Sequence, residues 1–108
     1  MIIGAGVSGI CVGYFFKLMN LDFVILEKGS EIGGTWFWNK YPGAGCDVQS
    51  HIYSFSFNQK RDWSKAFCLS EEIQDYLLQT WKWAKLVQHT QFNTEGKLFL
   101  IDRQCSLF

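Results

Sequence analysis

Three glycines near the start of the chain have the spacing that brings a dinucleotide pyrophosphate against the backbone. Gly4, Gly6 and Gly9 form the pattern Gly-x-Gly-x-x-Gly. The first glycine of this pattern allows a tight turn, the second lets the backbone approach the phosphates, and the third lets a helix pack closely on a strand. The N-terminus of that helix then supplies unpaired N–H groups and a favourable dipole, so the pattern predicts a phosphate site.

An acidic residue follows at the distance expected of a ribose-binding carboxylate. Glu27 lies 18 residues beyond Gly9 and ends an apolar run, and about 20 residues separate the two features in dinucleotide-binding units. A carboxylate accepts hydrogen bonds from free ribose hydroxyls, whereas a 2′-phosphate calls for an arginine, so Glu27 favours FAD or NAD over NADP. The alternative is a glycine-rich helix start followed by a surface glutamate.

One β-α-β unit is expected to position the glycines and Glu27. Residues 1–3 are predicted to end a buried strand, and apolar residues recur at helical spacing from Ser8 to about Met19. The continuous apolar run 23–26 is typical of a strand buried on both faces of a parallel sheet. The predicted fold class is therefore α/β, an incomplete Rossmann-type domain built on a parallel sheet.

The pattern then changes to a loop and a second helix. Residues 28–70 mix glycines, aromatic and polar residues without a sustained period, which indicates a long, ordered loop that carries function. Ser70 is a candidate N-cap for an amphipathic helix that runs to about Val87 or Gln88. Two candidate short strands follow, at residues 91–93 and 98–101.

Composition and charge exclude several classes of function. The 108 residues suffice for one small domain. Ten basic residues balance ten acidic ones, which argues against a nucleic-acid partner or an anionic membrane surface. Residues 1–16 carry no charge, but their glycines and the following Lys17 argue against a membrane span, which needs about 20 apolar residues. We expect a folded, cytoplasmic chain.

The cysteines, histidines and tryptophans form no metal or redox motif. The four cysteines are far apart, with no Cys-x-x-Cys pair of the kind typical of zinc sites and dithiol centres. We expect no metal site and four free, mostly buried thiols, although an even number of cysteines also permits disulfides. His51 and His89 lack matching ligands or a nucleophile. Trp63, Trp81 and Trp83 are expected to pack, the last two on different helix faces.

A second glycine loop separates FAD from NAD as the candidate cofactor. Gly33 and Gly34 allow close backbone approach, and Thr35 and Trp36 add a hydroxyl and a large flat ring. NAD dehydrogenases have no general need for such a loop at this point. A flavin cofactor is longer, and its isoalloxazine ring needs a wall. The second loop therefore favours FAD.

The residues from this loop onward resemble one flavoprotein family. Gly33–Trp36 is followed by Asn39-Lys40-Tyr41-Pro42-Gly43, by Cys46-Asp47 and by Ser50-His51-Ile52-Tyr53. In this order and register, the pieces resemble the Baeyer–Villiger monooxygenases and related class B flavin monooxygenases. Asp62-Trp63-Ser64 and Gln91–Glu95 also resemble the family, so the resemblance spans roughly residues 1–95.

The resemblance implies FAD as cofactor and a set of contact residues. The implied contacts are Gly4, Ala5, Gly6, Ser8, Gly9, Glu27, Gly34, Thr35, Trp36, Asp47 and Tyr53. Asp47 is also the candidate catalytic residue, because the matching family aspartate lies by the flavin and helps to place a catalytic arginine and the nicotinamide. The alternative for Asp47 is a loop residue that caps a turn. Gly45 departs from the family, since many members carry Arg there.

For full-length members the resemblance implies a monooxygenase reaction. NADPH reduces FAD, the reduced flavin adds O2, and oxygen goes to a small ketone, amine or sulfide. That reaction needs a second glycine fingerprint for NADPH, the signature Phe-x-Gly-x-x-x-His-x-x-x-Trp and a catalytic arginine, none of which the sequence shows. We therefore expect an N-terminal fragment that is inactive alone. The alternatives are a non-catalytic FAD-binding fragment and another two-dinucleotide flavoprotein, such as an N-hydroxylase or reductase.

The end of the chain does not resemble the continuation of the family. The expected division is an FAD-binding part at residues 1–95 and a divergent tail at residues 96–108. A frameshift or an unspliced intron would produce such a tail. A long downstream reading frame that joins at Glu95 is then expected in the genome, and an ordinary exon there would refute the idea.

Overall fold

Three short strands form a parallel sheet in the order β1-β2-β3. The computed structural model describes residues 1–95. The strands span Ile2–Ile3 (β1), Ile25–Leu26 (β2) and Thr90–Gln91 (β3). In the register of the sheet, Ile2 and Thr90 both pair with Ile25. The parallel sheet confirms the predicted α/β class, and β2 is shorter than the apolar run that predicted it.

Helix α1 (Val7–Leu18) joins β1 to β2 and confirms the predicted β-α-β unit. Its buried face includes Ile10, which is fully inaccessible to solvent together with Ile25 of β2. Burying an isoleucine side chain contributes about 1.5–3 kcal/mol, so these contacts hold the helix on the sheet. At its C-terminal end, the Lys17 ammonium donates hydrogen bonds to the carbonyl oxygens of Ala84 (3.3 Å) and Lys85 (2.9 Å).

Helix α3 (Ser70–Trp83) is the predicted amphipathic helix, with different ends. Ser70 is the first helical residue and Leu69 holds the N-cap position without a side-chain hydrogen bond, so the prediction of a Ser70 cap was wrong. The Ser70 N–H donates to the Ala44 carbonyl at 2.8 Å, which satisfies one of the N–H groups that the first turn of a helix leaves free. The helix ends early because Lys85 adopts a left-handed φ of 57°.

The two tryptophans of α3 lie on different faces of the helix, as predicted, and Trp81 is the one that packs in the core. Trp81 is buried and donates from Nε1 to the Thr90 hydroxyl at 3.0 Å, whereas Trp83 is exposed.

A separate 3-10 helix follows at Val87–His89. His89 stacks on Phe23 at 4.3 Å between ring centroids, so this histidine packs against the protein.

Residues 28–70 are ordered by contacts with α3 and contain two short helical turns. Helix α2 (Thr35–Trp38) and a 3-10 helix (Ser50–Ile52) interrupt the predicted loop. The Tyr76 hydroxyl of α3 accepts a hydrogen bond from the Phe55 N–H at 2.8 Å and donates to the Asn58 carbonyl at 2.7 Å. A side chain of α3 thus ties down the loop, and burial of that hydroxyl raises the pKa of Tyr76 above its usual value.

Several other expectations concern the same part of the chain. No helix within residues 1–95 has both the length and the apolar character needed to cross a membrane, and the expected cytoplasmic location stays a prediction. Cys68 is buried, Cys11 and Cys46 are half-buried, and these three thiols are free. Cys105, the candidate strand 98–101 and the proposed divergent tail lie outside the described residues.

Candidate functional site

The turn from β1 into α1 requires glycine at two of its positions, Gly4 and Gly9. Gly4 has a φ of +89°, which L side chains rarely adopt. A Cβ on Gly9 would lie 1.9 Å from the Gly4 carbonyl oxygen, so the third glycine lets the helix close on the strand end. Gly6 takes the N-cap position of α1. The first N–H groups of a helix have no intrahelical acceptor, and here they follow directly on this turn.

The second glycine loop lies against the first. The Gly33 N–H donates to the Ala5 carbonyl at 2.9 Å. A Cβ on Gly34 would lie 3.1 Å from the Gly6 Cα, and Gly34 has a φ of +56°. Two segments far apart in sequence therefore form one glycine surface, on which a side chain at position 34 would crowd Gly6.

Glu27 holds the glycine turn from the other side. Its side chain is only 4% exposed. Oε2 accepts a hydrogen bond from the Ala5 N–H at 2.7 Å and Oε1 accepts one from the Gly29 N–H at 2.8 Å. A carboxylate offers about four lone-pair sites, so two remain for other donors. Ala5 is fully buried, its N–H is bonded to Glu27 and its carbonyl is bonded to Gly33. Ala5 therefore links Glu27 to the second glycine loop.

Two clefts open on either side of the glycine surface. The Glu27 cleft has a volume of about 350 Å³ and the Trp36 cleft one of about 370 Å³. The Glu27 cleft is lined by Ile3, Gly4, Gly6, Leu26, Glu27, Lys28, Gly34, Trp38, Thr94 and Glu95. The Trp36 cleft is lined by Ile3, Gly4, Gly6, Val7, Ser8, Gly9, Gly33, Gly34, Thr35, Trp36 and Tyr53. Ile3, Gly4, Gly6 and Gly34 border both clefts, so the two adjoin and form one groove at the carboxyl end of β1.

Two aromatic residues form a wall of the Trp36 cleft. Trp36, in α2, donates from Nε1 to the Tyr53 hydroxyl at 3.0 Å, and the two rings meet edge to face at 5.8 Å. The exposed residues Ser8 and Thr35 line the same cleft with their hydroxyl-bearing side chains. The structure thus brings together the predicted residues of both glycine loops and Tyr53.

Asp47 is the predicted site residue that stands apart. Its side chain is exposed, and within residues 1–95 it lines neither of the two clefts. The catalytic role assigned to Asp47 from the family resemblance stays a prediction.

Gln74 of α3 supports the second glycine loop, and its sequence position gave no sign of this role. The buried Gln74 amide donates from Nε2 to the Ile32 carbonyl at 2.7 Å. Its Oε1 fills the space where a Cβ on Gly33 would lie, at 1.9 Å. Gln74 therefore fixes the backbone that precedes Gly34 and requires glycine at position 33.

Replacing Gln74 with alanine is expected to destabilise the loop. The buried Ile32 carbonyl would lose its donor, which costs about 1–3 kcal/mol in the free energy of unfolding. Gln79→Ala is the matched control, because Gln79 lies exposed on the same helix. A surface change of this kind alters the free energy of unfolding by no more than about 0.5 kcal/mol. Urea unfolding of the two variants measures the difference, and equal stabilities would contradict the supporting role.

Comparison with known proteins agrees with this site. The NAD(P)-binding Rossmann-like domain family matches residues 2–68. A Baeyer-Villiger monooxygenase of Pseudomonas aeruginosa is 46% identical over 107 residues, which cover 95% of this chain and 20% of that protein. The FAD-binding monooxygenase stcW of Emericella nidulans is 44% identical over 95 residues, covering 86% of this chain and 16% of that protein.

Solved structures give the same result. The closed crystal structure of cyclohexanone monooxygenase matches with a TM-score of 0.81 at 38% identity, over 87% of this chain and 19% of that one. This chain spans about a fifth of the length of these relatives. The resemblance drawn from the residues between Gly33 and Tyr53 is confirmed. The chain belongs to the NAD(P)-binding Rossmann-like domain family, and within it resembles the Baeyer–Villiger and other FAD-binding monooxygenases.

Proposed function

We propose that this chain supplies the adenosine and pyrophosphate site for FAD in a Baeyer–Villiger-type flavin monooxygenase. The observation that carries the proposal is the groove in which the Glu27 cleft and the Trp36 cleft adjoin along Gly4, Gly6 and Gly34. A dinucleotide has two ends joined by a pyrophosphate, and this groove has two compartments that meet along the glycine turn. The glycine surface provides the close approach that phosphates need, since side chains there would fill it.

The residues present fit FAD at each part of the groove. The free lone pairs of Glu27 suit the ribose hydroxyls, and the N–H groups at the start of α1 suit the pyrophosphate. Thr35, Trp36 and Tyr53 would lie along the ribityl and flavin side. FAD, when bound, supplies the capacity to accept reducing equivalents from NADPH and to react with O2. The protein residues bind and orient it, and the aromatic pair keeps water from one side.

The monooxygenase activity and its substrate belong to the same proposal. Relatives named as Baeyer-Villiger and FAD-binding monooxygenases support a monooxygenase reaction in the complete protein, for which the family resemblance implies NADPH and O2. The solved cyclohexanone monooxygenase supports a small ketone as the substrate class. Amines and sulfides remain the second class implied by the family. Asp47 is proposed as the residue that positions the reaction partners, with its role dependent on parts of the protein beyond this groove.

The preference among nucleotides tests the proposal. We expect FAD to bind at least about tenfold more tightly than FMN, which corresponds to about 1.4 kcal/mol from the adenosine contacts. NADP should compete poorly, because its 2′-phosphate would lie beside the Glu27 carboxylate. Competition titrations followed by flavin fluorescence measure both preferences. Equal affinities for FMN and FAD would refute the adenosine site, and tight NADP binding would favour a nicotinamide dinucleotide instead.

A further inference from the structure

Cys46 and Cys68 face each other across an antiparallel bridge in the segment that follows α2. The Cys46 N–H donates to the Cys68 carbonyl at 3.0 Å, and the Ser70 N–H donates to the Ala44 carbonyl at 2.8 Å. These two bonds flank the antiparallel bridge between Gly45 and Leu69. Cys46 follows Gly45 and Cys68 precedes Leu69, so in an antiparallel pairing Cys46 lies directly opposite Cys68.

The two cysteines also lie on the same face of the bridge. Side chains alternate between faces in extended chains. Gly45 and Leu69 are exposed, whereas Ala44 is buried, Cys68 is 1% exposed and Cys46 is half-buried. Opposed residues in an antiparallel pair have Cα atoms about 4.5–5.5 Å apart, within the range of about 4.4–6.8 Å that disulfides span.

Each thiol now has a separate partner. The Cys46 sulfur accepts a hydrogen bond from the Val48 N–H at 3.4 Å. The Cys68 thiol has two acceptors within reach, the Glu72 carboxylate at 3.2 Å and the Lys65 carbonyl at 3.4 Å. Rotation of both side chains about χ1 would exchange these contacts for a sulfur–sulfur bond, with the backbone already in register. Cys46 is the member of the pair that a dissolved oxidant reaches, since Cys68 is buried.

We propose that Cys46 and Cys68 form a redox-sensitive pair that a peroxide converts to a disulfide. The Cys46 thiol is oxidised by hydrogen peroxide to a sulfenic acid with release of one water. The Cys68 sulfur then attacks the Cys46 sulfur, and the sulfenic hydroxyl leaves with the Cys68 proton as a second water. Two thiols lose two electrons to the peroxide, and a thiol reductant reverses the change.

The disulfide would close the segment 46–68, which contains Asp47 and Tyr53. Tyr53 holds Trp36 by a hydrogen bond. Oxidation would therefore restrict the segment that carries Tyr53, one of the two residues of the aromatic wall of the Trp36 cleft. The inference concerns thiol chemistry alone and does not depend on FAD binding.

Peptide mapping of the full chain tests the pair. The reduced protein is treated with hydrogen peroxide at low protein concentration, its fold is monitored by circular dichroism, and the alkylated digest is analysed by mass spectrometry without reduction. We expect one dominant linked peptide pair, containing Cys46 and Cys68, that dithiothreitol removes. Cys11→Ser should leave the linked pair unchanged, whereas Cys46→Ser and Cys68→Ser should each abolish it.

Two results would overturn the pairing. One is a linkage in the folded chain that joins other cysteines in preference to Cys46 and Cys68. The other is oxidation of Cys46 to sulfinic acid while Cys68 keeps a free thiol. Oxidation in urea serves as the reference, because an unfolded chain should lose the selectivity and give mixed linkages.

Discussion

Gly9→Ala is expected to distort the glycine turn and to weaken FAD binding. The new Cβ would lie 1.9 Å from the Gly4 carbonyl oxygen, which is backbone and has no alternative rotamer. Overpacking costs about 1–3 kcal/mol even where side chains yield, and we expect about 3 kcal/mol or more here. A loss of this size at the binding surface corresponds to an affinity reduced about a hundredfold. Thermal unfolding and FAD titration measure the two effects.

Gly13→Ala is the matched control, because Gly13 lies in the same helix. Its added Cβ would approach only side-chain ends, Ile25 Cδ1 at 3.1 Å and Leu86 Cδ1 at 3.3 Å. Alanine gains about 1 kcal/mol over glycine inside a helix, which offsets the crowding. If Gly9→Ala were as stable as Gly13→Ala, the close approach of α1 to the Gly4 turn would be wrong.

Glu27→Gln is expected to weaken both the fold and FAD binding while keeping the size of the side chain. The glutamine amide has only one acceptor, its oxygen, for the two N–H groups of Ala5 and Gly29. The other N–H group would therefore face the NH2 group of the amide and lose its acceptor. An unsatisfied buried donor costs about 1–3 kcal/mol, and the ribose loses a charged acceptor. We expect FAD affinity to fall at least about tenfold.

Glu31→Gln provides the comparison for this effect. Glu31 is only half-buried and lies near the second glycine loop without lining the Glu27 cleft. Its variant should bind FAD like the wild-type chain. Unchanged affinity in Glu27→Gln would show that the carboxylate serves the protein backbone alone and does not contact the ribose.

The β-α-β unit was predictable because several local rules agree there. The glycine spacing, the apolar period of α1 and the uninterrupted run before Glu27 each point to the same elements. Strand β2 is shorter than the apolar run 23–26 that predicted it, since only Ile25–Leu26 pairs with the neighbouring strands. Sequence patterns record burial, whereas strand ends depend on which backbone groups find partners.

The contacts within the site were less accessible to sequence reasoning. Helix α2 is a single turn with no buried residue, so the sequence has no period that would mark it. Gln74 looks like one more polar residue on an amphipathic helix, and its burial arises only because the loop before Gly34 folds over α3. The bonds from Glu27 to Ala5 and Gly29 likewise follow from the tertiary arrangement of two backbone segments.

Amide NMR of the isotope-labelled chain, titrated with FAD, is the most direct test of the central claim that the joined clefts form one dinucleotide site. We predict saturable shifts concentrated at Gly4, Gly6, Gly34 and Thr35, with flavin fluorescence quenched over the same range of concentration. A folded chain that shows no saturable shifts, or shifts only at residues remote from both glycine loops, would contradict the account.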